Sequence, residues 1–454
     1  MKKNNLLLLA LFVFSSMYSF CQNNRIYGIV SDSLNSRRIV YYDLNTNTTQ
    51  TAYNLYLNVG NLSTTNFNGT SDPYNGRYFF GAFSDSTQGY RIFTYDISTN
   101  ILSSIAPSIS FQNIEYNPFT NQIIAQSNGS ISTIDLNTGA DSILVTDFSF
   151  GDYGYGTFRT FDPINQRYAK VSGPFGNPNY VVADILNDTI ISNIYMPLNE
   201  VPNWQVYDDV TQKCYGLTSS GSVVSFDMFT GNQTQIVSLP STLQLLNAQQ
   251  ATFDHQNGIL YMPFYNLGQA QLATIDVQAN AILSIVPFPE ADLMKVFTTA
   301  RPTLRLVGNE IMTVHAESYQ WYLNGAVIPA ANNQKYIIDQ SGYFKVLTTF
   351  MNGKMEFSDS VYLSPLGLHE VKEVAEIAVY PNPVNDVATI DLTQLTGSAF
   401  DLKVFNSYGH IVYAQTYIEA GSIRIDRRNL QSGLYFFQVL SENKIIGKGK
   451  FVVE

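Results

Sequence analysis

Metal or general-base chemistry needs histidine and carboxylate side chains that converge. Between residues 22 and 301 the chain offers one histidine, His255, three glutamates (Glu115, Glu200 and Glu290) and a scatter of aspartates. A multi-histidine centre is therefore excluded. His255 follows Asp254 in a predicted hairpin turn and reads as a solvated turn residue, while His315, His369 and His410 fall further along the chain. No G-x-S-x-G nucleophile elbow, phosphate-binding loop or H-E-x-x-H pair is present. The segment Asp43–Asn47 has the alternating oxygen ligands of a calcium loop but lacks its glycine and its distal glutamate, so it reads as a turn. No catalytic residue, no metal and no cofactor is expected.

Binding has a better local signal. In FSFGDYGYGTFRTF, the rings of Phe148, Phe150, Tyr153, Tyr155 and Phe158 alternate with glycines that leave aromatic faces free to stack on a sugar or a protein. Strand alternation alone would turn half of those rings into a core. An extracellular glycan or protein partner is the expectation, its identity open.

The elements that must position these residues repeat. Asp43, Asp96, Asp135, Asp184, Asp227 and Asp276 each end a strand and open a turn. In phase with them, Asp72, Asn117, Asp162, Asp208 and Asp254 recur at spacings of 45, 45, 46 and 46 residues in SDPYNGRYFF, YNPFTNQII, FDPINQRYA, YDDVTQKCY and FDHQNGILY. Aspartate at such a turn bonds nearby backbone N–H groups. Each unit supplies four aromatic-rich or alternating stretches, the pattern of one four-stranded propeller blade. The first unit lacks an inner strand. Arg301-Pro302 stands where Asp72-Pro73 and Asp162-Pro163 do, 47 residues after Asp254, so residues 293–300 are expected to close the ring. The fold class is all-β: a six-bladed propeller over residues 22–301, then two small β-sandwiches. The strand-turn-strand grammar resembles YVTN-type propeller repeats, a group with many activities and many pure binding surfaces. The sialidase-type repeat S-x-D-x-G-x-T-W is absent, and Trp204 and Trp321 are the only tryptophans. A lactonase-like hydrolase holding a divalent cation in the central channel stays open as the alternative to a binding protein.

Composition agrees with strands: 30 Tyr and 29 Phe stand beside 29 Gly and 17 Pro, and 13% of residues are charged. The net charge of -11 argues against a nucleic-acid partner. The opening MKKNNLLLLALFVFSSMYSFCQ has two lysines, a short apolar run and small residues, as a secretory signal peptide over 1–21 requires, with cleavage between Cys21 and Gln22. Its apolar run is shorter than the ~20 residues that span a bilayer, so the mature chain is expected to carry no transmembrane segment. Cys214 is then the one remaining cysteine and reads as a small buried hydrophobe.

Residues 302–365, with YQWYLNG and DQSGYFKV, resemble a short immunoglobulin-like domain in which Trp321 is the core tryptophan of the third strand. There is no cysteine pair, and Phe344 stands where the corner tyrosine is expected. A spacer is the expected role. Charged residues 366–376 read as a linker. From Ile377 to Glu454 the chain closely resembles the type A C-terminal sorting domain of cargo of the type IX secretion system. Pro381, Asn382 and Pro383 match its opening motif, Gly409 its middle turn, Gly433 and Tyr435 its late G-x-Y, and Lys450 its closing basic position. The resemblance implies handling by the type IX machinery of Bacteroidetes-type bacteria, passage through the periplasm, a cut in or near 366–376, and an address outside the cell or on its surface. Asp-Ser/Thr followed by a small or apolar residue resembles the O-glycosylation signal of such bacteria and occurs at Ser33, Ser86, Ser142, Thr189 and Ser360.

Overall fold

The computed structural model describes residues 24–454 apart from 32–36, 56–61, 64–68, 85–88, 128, 147–158, 173–178, 197–201, 210, 241–242, 245–250, 290, 299, 366–374, 394, 396–399, 407–410, 419–420, 428–429 and 442–443. Two compact units divide the chain at Ser364/Pro365.

In the first unit, the described residues up to Phe297 form six sheets, each with four strands in a row. The alternation of side chains in each strand buries both faces. Phe79 and Phe80, neighbours in the strand Arg77–Ser84, point into different cores and are both fully buried. Each core lies between successive sheets. Tyr27 and Ile39 of the first sheet meet Tyr78 and Phe93 of the second, and Phe79 and Ile92 of the second meet Ile114 and Ile123 of the third. Ile124 meets Tyr168, Val182 meets Phe226, and Leu217 meets Leu260 at the next three interfaces. The sixth cluster returns to the start, joining Leu272 of the last sheet to Ile26 and Val40 of the first. Sheets packed face to face in a closed cycle make a β-propeller.

Closure is covalently offset. The strand Asp292–Phe297 pairs antiparallel with Arg25–Ser31, so the first sheet takes its innermost strand from the end of the ring. That arrangement leaves no unpaired inner edge where the chain begins. Residues 298 and 300 lie past this strand.

The repeated aspartates explain the turns. At the outer hairpins, Oδ1 of Asp43, Asp96, Asp135, Asp184, Asp227 and Asp276 accepts bonds from the backbone N–H groups two and three residues on. At the inner turns Asp162 and Asp254 do the same. All are Asx turns, as the residue type demands. Cys214 is buried in the core between the fourth and fifth sheets, and burial pushes its thiol far above the ordinary value.

Residues 304–363 make two further sheets around a core of Trp321, Ile311, Ile338, Phe344 and Val346. Trp321 lies in Ser318–Leu323, the third strand of this segment, and its Nε1 donates to the Asn333 carbonyl at 2.9 Å. This module is not a free-standing spacer. It packs on the inner turns of the second, third and fourth sheets, where Phe119, Met312, Val314, Ala316 and Phe350 form a cluster flanked by Tyr74 and Ile164. Asn75 Nδ2 donates to the His315 carbonyl (3.2 Å) and Asn75 Oδ1 accepts the Met351 N–H (2.9 Å). His315 N–H bonds the Pro118 carbonyl, Gln334 Nε2 the Phe119 carbonyl, and Arg305 Nε the Ile164 carbonyl.

The second unit is a two-sheet sandwich. A five-stranded sheet carries Gly433–Ser441 at its middle, a three-stranded sheet carries Val387–Asp391, and Phe437, Phe451, Leu402 and Ile390 fill the space between. A Cβ on Gly449 would stand 2.5 Å from the Phe437 ring and 2.6 Å from the Ile377 carbonyl oxygen, which fixes glycine there. No helix among the described residues is long and apolar enough to cross a membrane.

Candidate functional site

The innermost strands of the six sheets line a channel, and its turn end opens into a cavity of about 510 Å³. Threonines tie neighbouring sheets together along it. Thr70 Oγ1 accepts the Tyr116 N–H at 3.0 Å, and Thr252 Oγ1 accepts the Val296 N–H at 2.8 Å. Within the channel, Glu115 faces two cations. Arg159 Nε stands 3.8 Å from Glu115 Oε1, and Thr70 Oγ1 donates to Oε2 at 3.3 Å. Lys295, from the closing strand, lines the same cavity. Burial holds its ammonium below the ordinary value; Glu115 opposes that shift and Arg159 adds to it. Burial likewise lowers Arg159. Among the described residues, Glu115 is the carboxylate that these two cations face. Glu200 and Glu290 lie outside the described residues.

His255 sits in the turn that the repeat assigns to it, but it is not merely solvated. Its Nδ1 lies 2.9 Å from Asp209 Oδ1 and 3.9 Å from Asp208 Oδ1, and its ring is edge-on to Phe253. Although burial opposes the charge, the two carboxylates raise its pKa to about 10, with Asp209 the larger electrostatic cause. Asp209 is held below the ordinary carboxylate range against its burial, first by the charge of His255. The three side chains form a group fit to hold a metal ion, two of them, Asp209 and His255, lining the cavity. A signal for it was present in the sequence. The position after the turn residue is proline at Pro73, Pro118, Pro163 and Pro302, but Asp209 and His255 in two successive repeats. Equivalent positions of successive repeats meet around a ring.

The expected aromatic surface, Phe148, Phe150, Tyr153, Tyr155 and Phe158, lies outside the described residues, as do Cys21, Gln22, Ser33, Ser86 and Gly409. The module supplies an aromatic face that sequence reasoning missed. Strand Gly342–Thr349 alternates, sending Phe344 and Val346 into the core and Tyr343 and Lys345 outward. Tyr343, 56% exposed, meets the ring of Tyr362, 59% exposed, at 5.2 Å across the strand pair. Tyr322 meets Phe357 at 5.3 Å, and Lys345 Nζ sits 4.3 Å over the Phe357 ring. The period-two alternation of GYFKVLTT was the available signal.

In the second unit, the sorting-motif positions meet. Pro381, Asn382 and Pro383 are exposed and lie outside the strands, and Asn382 Oδ1 accepts the Val452 N–H at 2.8 Å, two residues past exposed Lys450. Tyr435 is buried, its hydroxyl donating to the Gln431 carbonyl at 2.7 Å, two residues before Gly433. Ser142, Thr189 and Ser360 are exposed.

Comparison with known proteins places part of the chain. Among curated proteins, the ulvan lyase of Nonlabens ulvanivorans is 36% identical over 83 residues, a match covering 18% of this chain and 15% of that enzyme. The chain thus spans under a sixth of that relative's length. Among solved structures, one from a nidogen/laminin complex covers 60% of this chain and 97% of its own at 10% identity, with a TM-score of 0.43. The β-propeller domain of Swd1 from Myceliophteria thermophila covers 64% and 94% at 8% identity, with a TM-score of 0.36. Residues 378–454 match the family model of the secretion system C-terminal sorting domain. The C-terminal unit is therefore a sorting domain, and the protein is exported through type IX secretion to the cell surface or the extracellular space.

Proposed function

We propose that the exported protein is a non-catalytic binding protein: a six-bladed propeller over residues 22–301 presents an immunoglobulin-like module over 302–365, and the pair engages an extracellular glycan. The carrying observation is the solvent-facing aromatic row of the module. Tyr343 pairs with Tyr362 and Phe357 with Tyr322, Lys345 lies over Phe357, and Tyr343, Tyr362 and Phe357 are exposed, a contiguous aromatic patch of the kind that marks interaction sites. Aromatic faces stack on the apolar C–H faces of sugar rings, and a lysine beside them suits an acidic sugar. The channel supports the same reading, since Arg159 and Lys295 surround its single described carboxylate. A protein ligand is the other outcome of the same test. The leader 1–21 and the sorting domain 377–454 deliver this unit and are removed on the way, the second by a cut in or near 366–376; Ser142, Thr189 and Ser360, all exposed, carry glycans.

The test is affinity electrophoresis and titration calorimetry of the mature protein against acidic and neutral polysaccharides, beside a Tyr343→Ala/Tyr362→Ala variant. Loss of about 1–3 kcal/mol of binding, roughly five- to 150-fold in Kd, is expected for the variant. Turnover of lactone, ester or glycan substrates by the mature protein would overturn the reading and favour the hydrolase alternative.

A further inference from the structure

The turn residues Asp209 and His255 ask for a ligand that the binding reading does not use. At the equivalent place in other repeats the chain has proline, which fixes backbone and brings no chemistry; here two neighbouring repeats substitute a carboxylate and an imidazole. Proline turns carry the module on the second, third and fourth sheets. All of these turns border the cavity, the second, third and fourth with Pro73, Pro118 and Pro163, the fifth and sixth with Asp209 and His255.

We propose that Asp208, Asp209 and His255 bind one divalent first-row cation, Zn²⁺ or Mn²⁺, which bridges the fifth and sixth sheets at the cavity mouth. Three donor atoms, one from each residue, lie within 4.8 Å of one another. Ligand atoms of a tetrahedral ion at about 2.1 Å stand about 3.4 Å apart, so the 2.9 Å between His255 Nδ1 and Asp209 Oδ1 would open by about half an ångström to admit one. Asp208 Oδ2 is engaged by Thr211 Oγ1, which orients the other oxygen toward His255. A second observation is independent of this clustering. The Asp209 side chain is only 9% exposed, and its Oδ1 is buried yet receives no well-directed hydrogen bond, despite the nearness of His255. The charge of His255 offsets the burial of that oxygen, and a metal ion taking the place of the imidazole proton would do so with a directed bond. One imidazole with two carboxylates favours Zn²⁺ or Mn²⁺ over Ca²⁺, which prefers an all-oxygen shell. The adjoining cavity leaves room for water or a ligand group to complete the coordination. The site stands whether or not the module binds a glycan.

The experiment is calorimetric titration and thermal unfolding of the mature chain, freed of metal by chelation, with ZnCl₂, MnCl₂ or CaCl₂ alone. One ion per chain is expected, raising the midpoint of the ring's unfolding by about 3 °C at a hundredfold excess over Kd. Asp209→Asn and His255→Gln should each abolish the shift, while His315→Gln should keep it. No shift with Zn²⁺ or Mn²⁺, or a shift that survives both substitutions, overturns the site in favour of an ion pair alone. Should a variant fail to fold, Co²⁺ titration of the unaltered protein decides: visible ligand-field absorption of a bound ion supports the site, and a spectrum of free Co²⁺ overturns it.

Discussion

The inner and outer turns of each blade obey one local rule and serve different purposes. At the outer hairpins Asp96, Asp135 and Asp227 cap their own turns and touch little else. At the inner turns Asp72, Asp162 and Asp254 cap in the same way, but they are fully buried. Asp72 Oδ2 accepts two bonds from Arg77, whose guanidinium also reaches Tyr116 and Asn121 in the next sheet. The outer turns are thus finished locally, and the inner turns, beside them on the same face of the ring, are wired between sheets and to the module. An identical sequence signature has its energetic weight set by what covers it.

The sharpest way to break this comparison is Asp72→Ala. It removes the cap and leaves the Arg77 guanidinium, 12% exposed, without its carboxylate. Removing one partner of a buried pair costs about 3–5 kcal/mol, so the variant should unfold in chemical denaturation far ahead of the unaltered protein. A loss no larger than that of an outer-hairpin aspartate would erase the distinction.

Asn75→Ala should come second. Its side chain alone spans from the ring to the His315 carbonyl and the Met351 N–H, and it also bonds Asp72. About 1–3 kcal/mol is expected, felt at the module interface. Faster amide hydrogen exchange at Met351 and in 311–316 would report it; unchanged exchange there would mean that the apolar cluster around Phe119 and Phe350 holds the module unaided.

The outer turns supply the contrast in kind. Asp96→Ala removes the bonds to Ser98 and Thr99 from an exposed hairpin tip, and about 1 kcal/mol of destabilisation is expected by thermal unfolding. A cost near that of Asp72→Ala would show that capping, not burial, decides.

This difference also marks how far the sequence could be read. The turns were legible because Asp with Asn, Thr or Gly behind it has few other uses, and the ring was legible because its spacing of 45–46 residues repeats. The sorting domain was legible because its motif residues are spread through its whole length and match in order. What escaped were contacts between repeats. Asp209 and His255 are 46 residues apart, one repeat period, and only the ring places them side by side. His255 read alone is a turn histidine; read against the prolines of its sister repeats it is a departure. The module's seat on Tyr74, Phe119 and Ile164 escaped for a related reason, since apolar residues at turn tips look like exposed loop residues until something covers them.

The smallest effect concerns acid. Asp135, at an outer hairpin, is held below the ordinary carboxylate range first by the Thr138 N–H, then by the Thr138 hydroxyl and the Asn137 N–H. Its folded pKa is thus lower than its unfolded one. The sign follows from linkage: the unfolded chain takes up the proton first, so the stabilisation is complete above the unfolded carboxylate value and fades as pH falls toward the folded one. Asp391, capped by Thr393 in the sorting domain, behaves alike. Asp135→Asn keeps an acceptor for both N–H groups but carries no titrating charge. Its melting temperature should therefore lie slightly below that of the unaltered protein at neutral pH, and the gap should close as the solution is acidified through the carboxylate range. A gap that widens on acidification would show that the exposed cap does not favour the ionised carboxylate, and that the outer hairpins are held by backbone geometry alone.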